Sequence, residues 1–202
     1  MITADILIAT PKDELSSLSK ELDSDDVELL IEWLSVKEDK LRYPSLLVLQ
    51  MRSKDSDCLY KYWPVFREKL KSDNSYQRSI GLMMIAANVR WDSSGNFEED
   101  YDAFCALLND EKPITVRQCV ASFAEIVPFK PNLNSKIAET LMSINIAGIR
   151  DTMQKSVLLD ITNILLLIRK AHTSDAIEKY ITDALTGGIL DSKSKKAIQA
   201  AL

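Results

Sequence analysis

Apolar residues recur along the chain at helical spacing, and they do so in pairs of amphipathic segments. Three long segments open with an acidic turn, continue to a basic residue and then run into an apolar helix; they begin at 73–78, 110–117 and 150–155. A shorter amphipathic segment follows each of them. The unit recurs roughly every 34 to 39 residues, a period typical of stacked helix pairs. No stretch alternates apolar and polar residues, so the pattern predicts an all-α fold.

The same pattern divides the chain into a cap, four repeats and a closing helix. Residues 1–38 are predicted to form an acidic N-terminal cap, residues 40–186 the repeats, and residues 190–202 a C-terminal cap helix. The four repeats span about 40–72, 74–109, 113–146 and 151–186. Pro44 is placed in the first turn of its helix, where a missing N–H costs little. We expect a single helical-repeat domain over 1–202.

In such a domain one helix of each pair faces a shared concave surface. We assign that face to the second helices of the repeats, at 57–70, 97–108, 133–145 and 174–185. Repeat domains of this kind mostly bind other molecules through this extended surface. The pattern therefore favours a binding protein over an enzyme.

Charge narrows the choice of partner. The net charge of −5 over 202 residues gives no global attraction to nucleic acid or to anionic lipid. The distribution is uneven, because residues 1–36 hold nine acidic and two basic side chains. Residues 37–90 hold eleven Lys and Arg against six Asp and Glu. A local basic surface thus stays possible within an acidic protein.

The cysteines and the apolar runs exclude several other classes. Cys58, Cys105 and Cys119 form no C-x-x-C pair, which argues against a disulfide framework or a zinc site and favours a reducing compartment. The longest apolar run, 164–168, is far shorter than the ~20 residues of a membrane span. No signal-peptide pattern opens the chain. We expect a cytoplasmic protein with no membrane contact, no metal and no cofactor.

One segment carries a family resemblance. Residues Asp110–Ile126, with the Asp, the following Val-Arg pair and an Ala-x-x-x-Ile spacing, resemble a HEAT repeat. The chain as a whole is similar to the HEAT/armadillo-like helical repeat family, and to small bacterial HEAT-like proteins in particular. The resemblance implies an α-α superhelix of about four to five helical hairpins. It also implies a polar ladder between successive layers, with Asp110, Arg117 and Arg78 in that role. The first repeat shows no matching Arg, and the fourth has Lys155 instead.

The richest candidate for a binding surface is the segment 60–67. It interleaves aromatic and basic residues, as a peptide or nucleic-acid groove would. Its predicted interface residues are Tyr62, Trp63, Phe66 and Arg67. The alternative is that the aromatic side chains pack between helices while the basic ones are simply solvated; these are Lys61, Arg67, Lys69 and Lys71. Both interpretations stay open from the sequence.

A second candidate is the pair Trp91-Asp92 at the end of a predicted helix. HEAT-like alkylpurine DNA glycosylases hold a catalytic Asp among tryptophans, and a carboxylate beside an aromatic wall can stabilise a developing positive charge. The alternative is structural, with Asp92 opening a turn and Trp91 closing the helix. No nucleophile or phosphate-binding motif accompanies the pair. The sequence therefore predicts a non-catalytic protein- or peptide-binding scaffold, with DNA binding as the second hypothesis.

Two polar residues interrupt the most apolar segment. Asp160 and Asn163 lie among leucines and isoleucines in the first helix of the fourth repeat. Leaving them buried without partners would cost about 1–3 kcal/mol each. We expect them to face outward or to find polar partners on a neighbouring repeat.

Overall fold

The computed structural model describes residues 1–202 and is all-helical, with 76% of residues in helices and no strand, which confirms the all-α prediction. Its twelve α-helices are α1 (Ala4–Ala9), α2 (Leu15–Glu21), α3 (Ser24–Trp33), α4 (Asp39–Asp55), α5 (Trp63–Lys69), α6 (Ser75–Asn88), α7 (Asn96–Ala106), α8 (Pro113–Ile126), α9 (Asn134–Met142), α10 (Asp151–Arg169), α11 (Asp175–Thr186) and α12 (Ser192–Ala200). Short 3₁₀ turns occupy Asp57–Tyr62, Val89–Trp91, Leu107–Asn109, Pro131–Leu133 and Ile146–Gly148. None of the helices combines the length and the apolarity needed to cross a membrane.

Side-chain caps fix where several helices begin. Asp23 and Asp26 form a capping box at the start of α3, in which each carboxylate accepts from the other residue's backbone N–H. Asn74 caps α6, Ser174 caps α11 and Asp191 caps α12. Each of these cap residues accepts from a first-turn N–H group that has no acceptor within its helix, and so it defines the helix start.

The N-terminal boundary of α4 differs from the prediction. The helix begins at Asp39, so Pro44 lies inside the helix rather than in its first turn. Because proline has no N–H, the carbonyl four residues earlier lacks its usual helical donor. The packing of α4 against α1, α2, α3 and α6 outweighs this local cost.

Residue contacts divide the chain into two compact units, the N-terminal unit Met1–Asp100 and the C-terminal unit Tyr101–Leu202. In the N-terminal unit α4 packs on α6 and α5 packs on α6. The α5–α6 contact is very close, because a Cβ on Gly81 would lie 2.9 Å from the carbonyl oxygen of Phe66. The core of this unit is filled by large fully buried side chains: Leu30, Leu34, Leu49, Leu59, Trp63, Phe66 and Leu82.

In the C-terminal unit α10 is the central helix. It packs on α8, α9, α11 and α12. Phe104 and Phe123 meet edge to face with ring centroids 5.4 Å apart, and the Cys119 thiol donates to the carbonyl of Phe104 at 3.3 Å. The remaining core comes from aliphatic side chains of α8, α9 and α10: Val120, Ile126, Ile137, Leu141, Val157, Ile161, Ile164 and Leu165.

A buried arginine recurs at the same place in two helices of the N-terminal unit. Arg42 is the fourth residue of α4, and its Nη1 donates to the carbonyls of Val36 and Lys37 at 3.1 and 3.3 Å. Arg78 is the fourth residue of α6 and makes the equivalent bonds, at 2.8 and 3.0 Å, to the carbonyls of the residues six and five positions before it. The first predicted repeat therefore does contain an arginine equivalent to Arg78 in position and bonding, although the sequence analysis found no match there.

Candidate functional site

The predicted aromatic–basic segment is in large part core. Trp63 is 1% exposed and Phe66 is fully buried. Trp63 Nε1 donates to the Asp100 carboxylate at 2.7 Å, and Arg67 Nε lies 2.7 Å from the same carboxylate. Tyr60 packs its ring edge against Trp63. A partner could not reach Trp63 or Phe66 in this conformation, so neither side chain is available to a binding surface.

The other two predicted interface residues lie at the surface and are engaged within the chain. Tyr62 donates to Glu28 at 3.2 Å, and Lys61 lies 3.9 Å from the same carboxylate oxygen. Arg67 also reaches Glu99 at 3.6 Å. These contacts fasten α5 and the turn before it to the rest of the N-terminal unit.

The basic residues of this segment do not share one environment. Lys61 and Lys71 are exposed, as the structural alternative predicts. Lys69 is buried, and Arg67 is held by Asp100. The alternative is therefore right about the aromatic packing and wrong about the solvation of Lys69.

Asp92 occupies the position of a helix cap. Its Oδ1 accepts from the backbone N–H of Asn96 at 3.0 Å and from the Tyr60 hydroxyl at 2.7 Å, and its Oδ2 accepts from the N–H of Phe97 at 2.9 Å. Trp91 donates its Nε1 proton to the Ser53 carbonyl at 2.7 Å. The carboxylate thus serves the first turn of α7. This role is structural, but it differs from the alternative predicted for the pair, in which Asp92 opens a turn and Trp91 closes the preceding helix.

The residues assigned to a polar ladder make the following contacts. Arg78 reaches back to the loop before α6, as described above. Asp110 accepts from the N–H of Lys112 at 2.8 Å, within the turn before α8. Arg117 on α8 lies 3.3 Å from Asp160 on α10. Asp160 therefore finds a polar partner on the neighbouring long helix, which is what its place in an apolar segment predicted. The ladder itself stays a prediction.

A groove of about 790 Å³ lies in the C-terminal unit, and we call it the C-terminal groove. Its volume falls in the range of pockets that hold small ligands or short peptide segments. The apolar part of its lining is aliphatic: Ala106, Leu108, Pro113, Val116, Ile144, Ile149 and Val157. The polar part offers hydroxyl and amide groups: Tyr101, Asn109, Thr140, Ser143 and Asn145. The charged part is formed by Asp102, Asp110, Lys136 and Arg150.

At one end of this groove, burial shifts the pKa values of two side chains, Tyr101 and Cys105. The Tyr101 hydroxyl shares a hydrogen bond of 2.9 Å with Thr140 Oγ1, and burial raises the pKa of Tyr101 above its usual range. Lys136 lies over the Tyr101 ring, 4.0 Å from the centroid, and 3.3 Å from Asp102. Burial also raises the pKa of Cys105 to about 11, so its thiol stays protonated and weakly nucleophilic at neutral pH. Neither the Tyr101 hydroxyl nor the Cys105 thiol is therefore ionised at neutral pH.

The groove lining also contains a cation that is available to a ligand. Arg150 is exposed, lines the groove, and forms no ion pair or side-chain hydrogen bond within the chain. Lys136, the other basic residue of the lining, is already paired with Asp102. The groove therefore combines an apolar wall, neutral donors and acceptors, and one unengaged guanidinium.

Sequence reasoning did not find this groove because no local motif marks it. Its lining comes from four successive helices, α7, α8, α9 and α10, and from the turns between them. None of the predicted residues Tyr62, Trp63, Phe66 and Arg67 lines the groove.

No group of three or more His, Cys, Asp or Glu side chains converges in a way that could hold a metal ion. The sequence matches no protein-family model and no curated protein.

Proposed function

We propose that this chain is a non-catalytic scaffold of HEAT-like helical repeats that binds a protein through a short peptide segment. The observation that supports it best is the C-terminal groove, with its aliphatic wall, its hydroxyl and amide groups and its unengaged Arg150. A peptide backbone needs both donors and acceptors along its length, and its side chains need apolar contact. The groove supplies both within about 790 Å³.

The charged residues of the groove restrict the peptide sequences that it would bind. Asp102 is neutralised by Lys136, and Asp110 accepts a backbone N–H in its own turn. Arg150 is the charge that has no partner within the chain. A guanidinium forms strong paired hydrogen bonds with carboxylates. We therefore propose a segment that carries at least one aliphatic side chain and one Asp or Glu near it.

The repeat character of the proposal is supported by two relationships. Long helices that open successive predicted repeats pack on one another, α4 on α6 and α8 on α10. Arg42 and Arg78 fill the same position in α4 and α6 and make the same bonds. Both fit stacked copies of one helical unit.

The proposal can be tested with peptides selected from a random displayed library on the immobilised full-length protein. A synthetic copy of an enriched peptide is then titrated by fluorescence anisotropy against the wild type and three variants. Ile149→Arg should weaken binding more than tenfold, since it puts a charge into the aliphatic wall. Arg150→Ala should weaken the binding of peptides with an acidic residue.

The matched control is Ile114→Arg, which changes an exposed isoleucine of α8 that does not line the groove. This control should bind within twofold of the wild type. Selection that enriches no sequence, or equal binding by Ile149→Arg and Ile114→Arg, would contradict the assignment of the groove.

We do not extend the proposal to DNA base excision. The Asp92 carboxylate accepts from the donors of Asn96, Phe97 and Tyr60, and these contacts favour a structural role for it at the start of α7.

A further inference from the structure

The N-terminal unit contains a second cavity, which we call the Lys69 cleft. It is an open cleft of about 660 Å³ at the end of α3, between α5 and α6. The residues that matter for its chemistry are Ser35, Pro64, Val65, Lys69, Ser72 and Gln77. It belongs to the N-terminal unit alone and shares no residue with the C-terminal groove.

Lys69 is a buried cation without an anionic partner. Its side chain lies in the last turn of α5, and the residue is 8% exposed. The ammonium donates to two neutral oxygens, Ser35 Oγ at 2.9 Å and Gln77 Oε1 at 2.5 Å, and no carboxylate lies within ion-pair distance. Buried charges in proteins are normally paired, because desolvation costs several kcal/mol per ion. Burial accordingly lowers the pKa of Lys69, and no neighbouring acid counters the effect.

A purely structural role explains part of this arrangement. Gln77 donates its Nε2 proton to the Leu34 carbonyl at 2.8 Å, which turns its Oε1 toward Lys69. The ammonium therefore joins the ends of α3 and α5 to the start of α6. The C-terminal end of α3 also offers a partial negative charge. That charge is only about half an electron in a full helix, so it leaves much of the positive charge of Lys69 uncompensated.

The cleft provides what an anion would need. An ammonium has three donors, and two of those of Lys69 are used, which leaves one N–H for a ligand. Ser72 Oγ accepts from the N–H of Asn74 at 3.2 Å, so its own proton is free to be donated. Glu68 also borders the cleft, but its carboxylate is paired with Lys71 at 2.8 Å.

The apolar side of the cleft restricts the chemical class of the ligand further. Val65 is 40% exposed, and it lies with Pro64 along the same cleft as Lys69. One buried positive charge balances one negative charge, so a monoanion fits better than a phosphate dianion, whose second negative charge would have no partner in the cleft. A carboxylate attached to an apolar group meets both conditions.

We propose that the Lys69 cleft binds the carboxylate of an apolar ligand, such as the C-terminal residue of a partner peptide. The carboxylate accepts from the ammonium of Lys69 and from the Ser72 hydroxyl, and the apolar group lies on Pro64 and Val65. This site is separate from the C-terminal groove. A partner can therefore use either site, and the failure of one proposal leaves the other intact.

The experiment is a titration of the ¹⁵N-labelled full-length protein, followed by two-dimensional NMR at constant ionic strength. The probe is N-acetyl-leucine, and the matched neutral probe is N-acetyl-leucinamide. We expect saturable shifts of the backbone amides of Ser35, Val65, Ser72 and Gln77 with the acid only. Equal shifts with the amide, or equal shifts with inorganic phosphate, would overturn the proposal.

Three variants, one of them a control, connect the shifts to Lys69. Lys69→Met removes the ammonium and should lower the affinity at least tenfold, whereas the control Lys54→Met, which changes an exposed lysine outside the cleft, should leave it within twofold. Gln77→Glu places a carboxylate beside the ammonium within the chain. It should remove binding of the acid, even if Lys69→Met does not fold. Binding of wild-type strength by Gln77→Glu would contradict the site.

Discussion

Arg42 and Arg78 lie 36 residues apart and hold the loops before their helices in the same way. Each donates Nη1 to two backbone carbonyls five and six residues earlier, and each is 9% exposed. These bonds are partly buried, so the guanidinium satisfies loop acceptors to which water has only limited access. This shared arrangement is a direct structural similarity between two of the predicted repeats.

Replacing either arginine should destabilise the fold. Arg42→Ala and Arg78→Ala each leave two carbonyls without their donor, and we expect a loss of about 1–3 kcal/mol in the free energy of unfolding. Urea unfolding followed by circular dichroism measures it. Arg150→Ala, at an exposed arginine, should change the value by less than about 0.5 kcal/mol. Similar values for all three variants would mean that the loop contacts contribute little.

The close approach of α5 and α6 depends on Gly81. A Cβ at this position would lie 2.9 Å from the Phe66 carbonyl oxygen and 3.1 Å from the Leu70 nitrogen. Backbone atoms cannot move aside cheaply, so Gly81→Ala should cost about 1–3 kcal/mol of stability in thermal or urea unfolding. Gly188→Ala is the control, since no atom lies within 4 Å of the added Cβ. A stable Gly81→Ala protein would show that the two helices can separate at little cost.

Asp92 should matter for stability rather than for catalysis. Asp92→Ala removes the cap of α7, and we expect a loss of about 1–2 kcal/mol. Tyr60→Phe removes one of the three donors and should have a smaller effect. Duplex DNA with an alkylated base tests the other role directly. Release of the base by the wild type but not by Asp92→Ala would establish the excision hypothesis against our expectation.

The cysteines should differ sharply in reactivity. Burial raises the pKa of Cys105 to about 11 and that of Cys119 well above its ordinary value, so both thiols stay protonated at pH 8. Iodoacetamide labelling at pH 8, read by peptide mass spectrometry, should modify Cys58 at least tenfold faster than either. In urea all three rates should converge, because the unfolded thiols are equally solvated.

The raised pKa of Cys105 also makes the stability of the fold depend on pH. The folded state holds the Cys105 proton more tightly than the unfolded state does. The stabilisation that arises from this difference in pKa is therefore complete below the ordinary thiol pKa of about 8.5, and it is lost as the pH rises toward 11. Urea unfolding of the wild type should lose more stability across this window than unfolding of Cys105→Ser. Parallel pH profiles for the two proteins would contradict the assignment.

The local parts of the fold could be predicted because they depend on local chemistry. Apolar residues at helical spacing locate the helices, and polar caps such as Asn74 and Ser174 define their starts. The boundary of α4 was missed because Pro44 is a strong local signal for a first turn. The tertiary contacts of α4 outweigh that local preference. Because Pro44 was placed in the first turn, the sequence analysis also did not recognise that Arg42 is equivalent to Arg78.

The sequence by itself determines an all-helical chain, its alternation of long and short helices and the general place of its turns, since these follow from side-chain periodicity and capping. It cannot say which aromatic or charged residue is exposed. Trp63, Phe66 and Lys69 are buried, and Asp92 caps a helix. For Trp63 and Lys69, the contacts responsible include residues more than thirty positions away in the chain. The C-terminal groove and the Lys69 cleft exist only between packed helices, because a cavity is a property of the space that several distant segments leave between them.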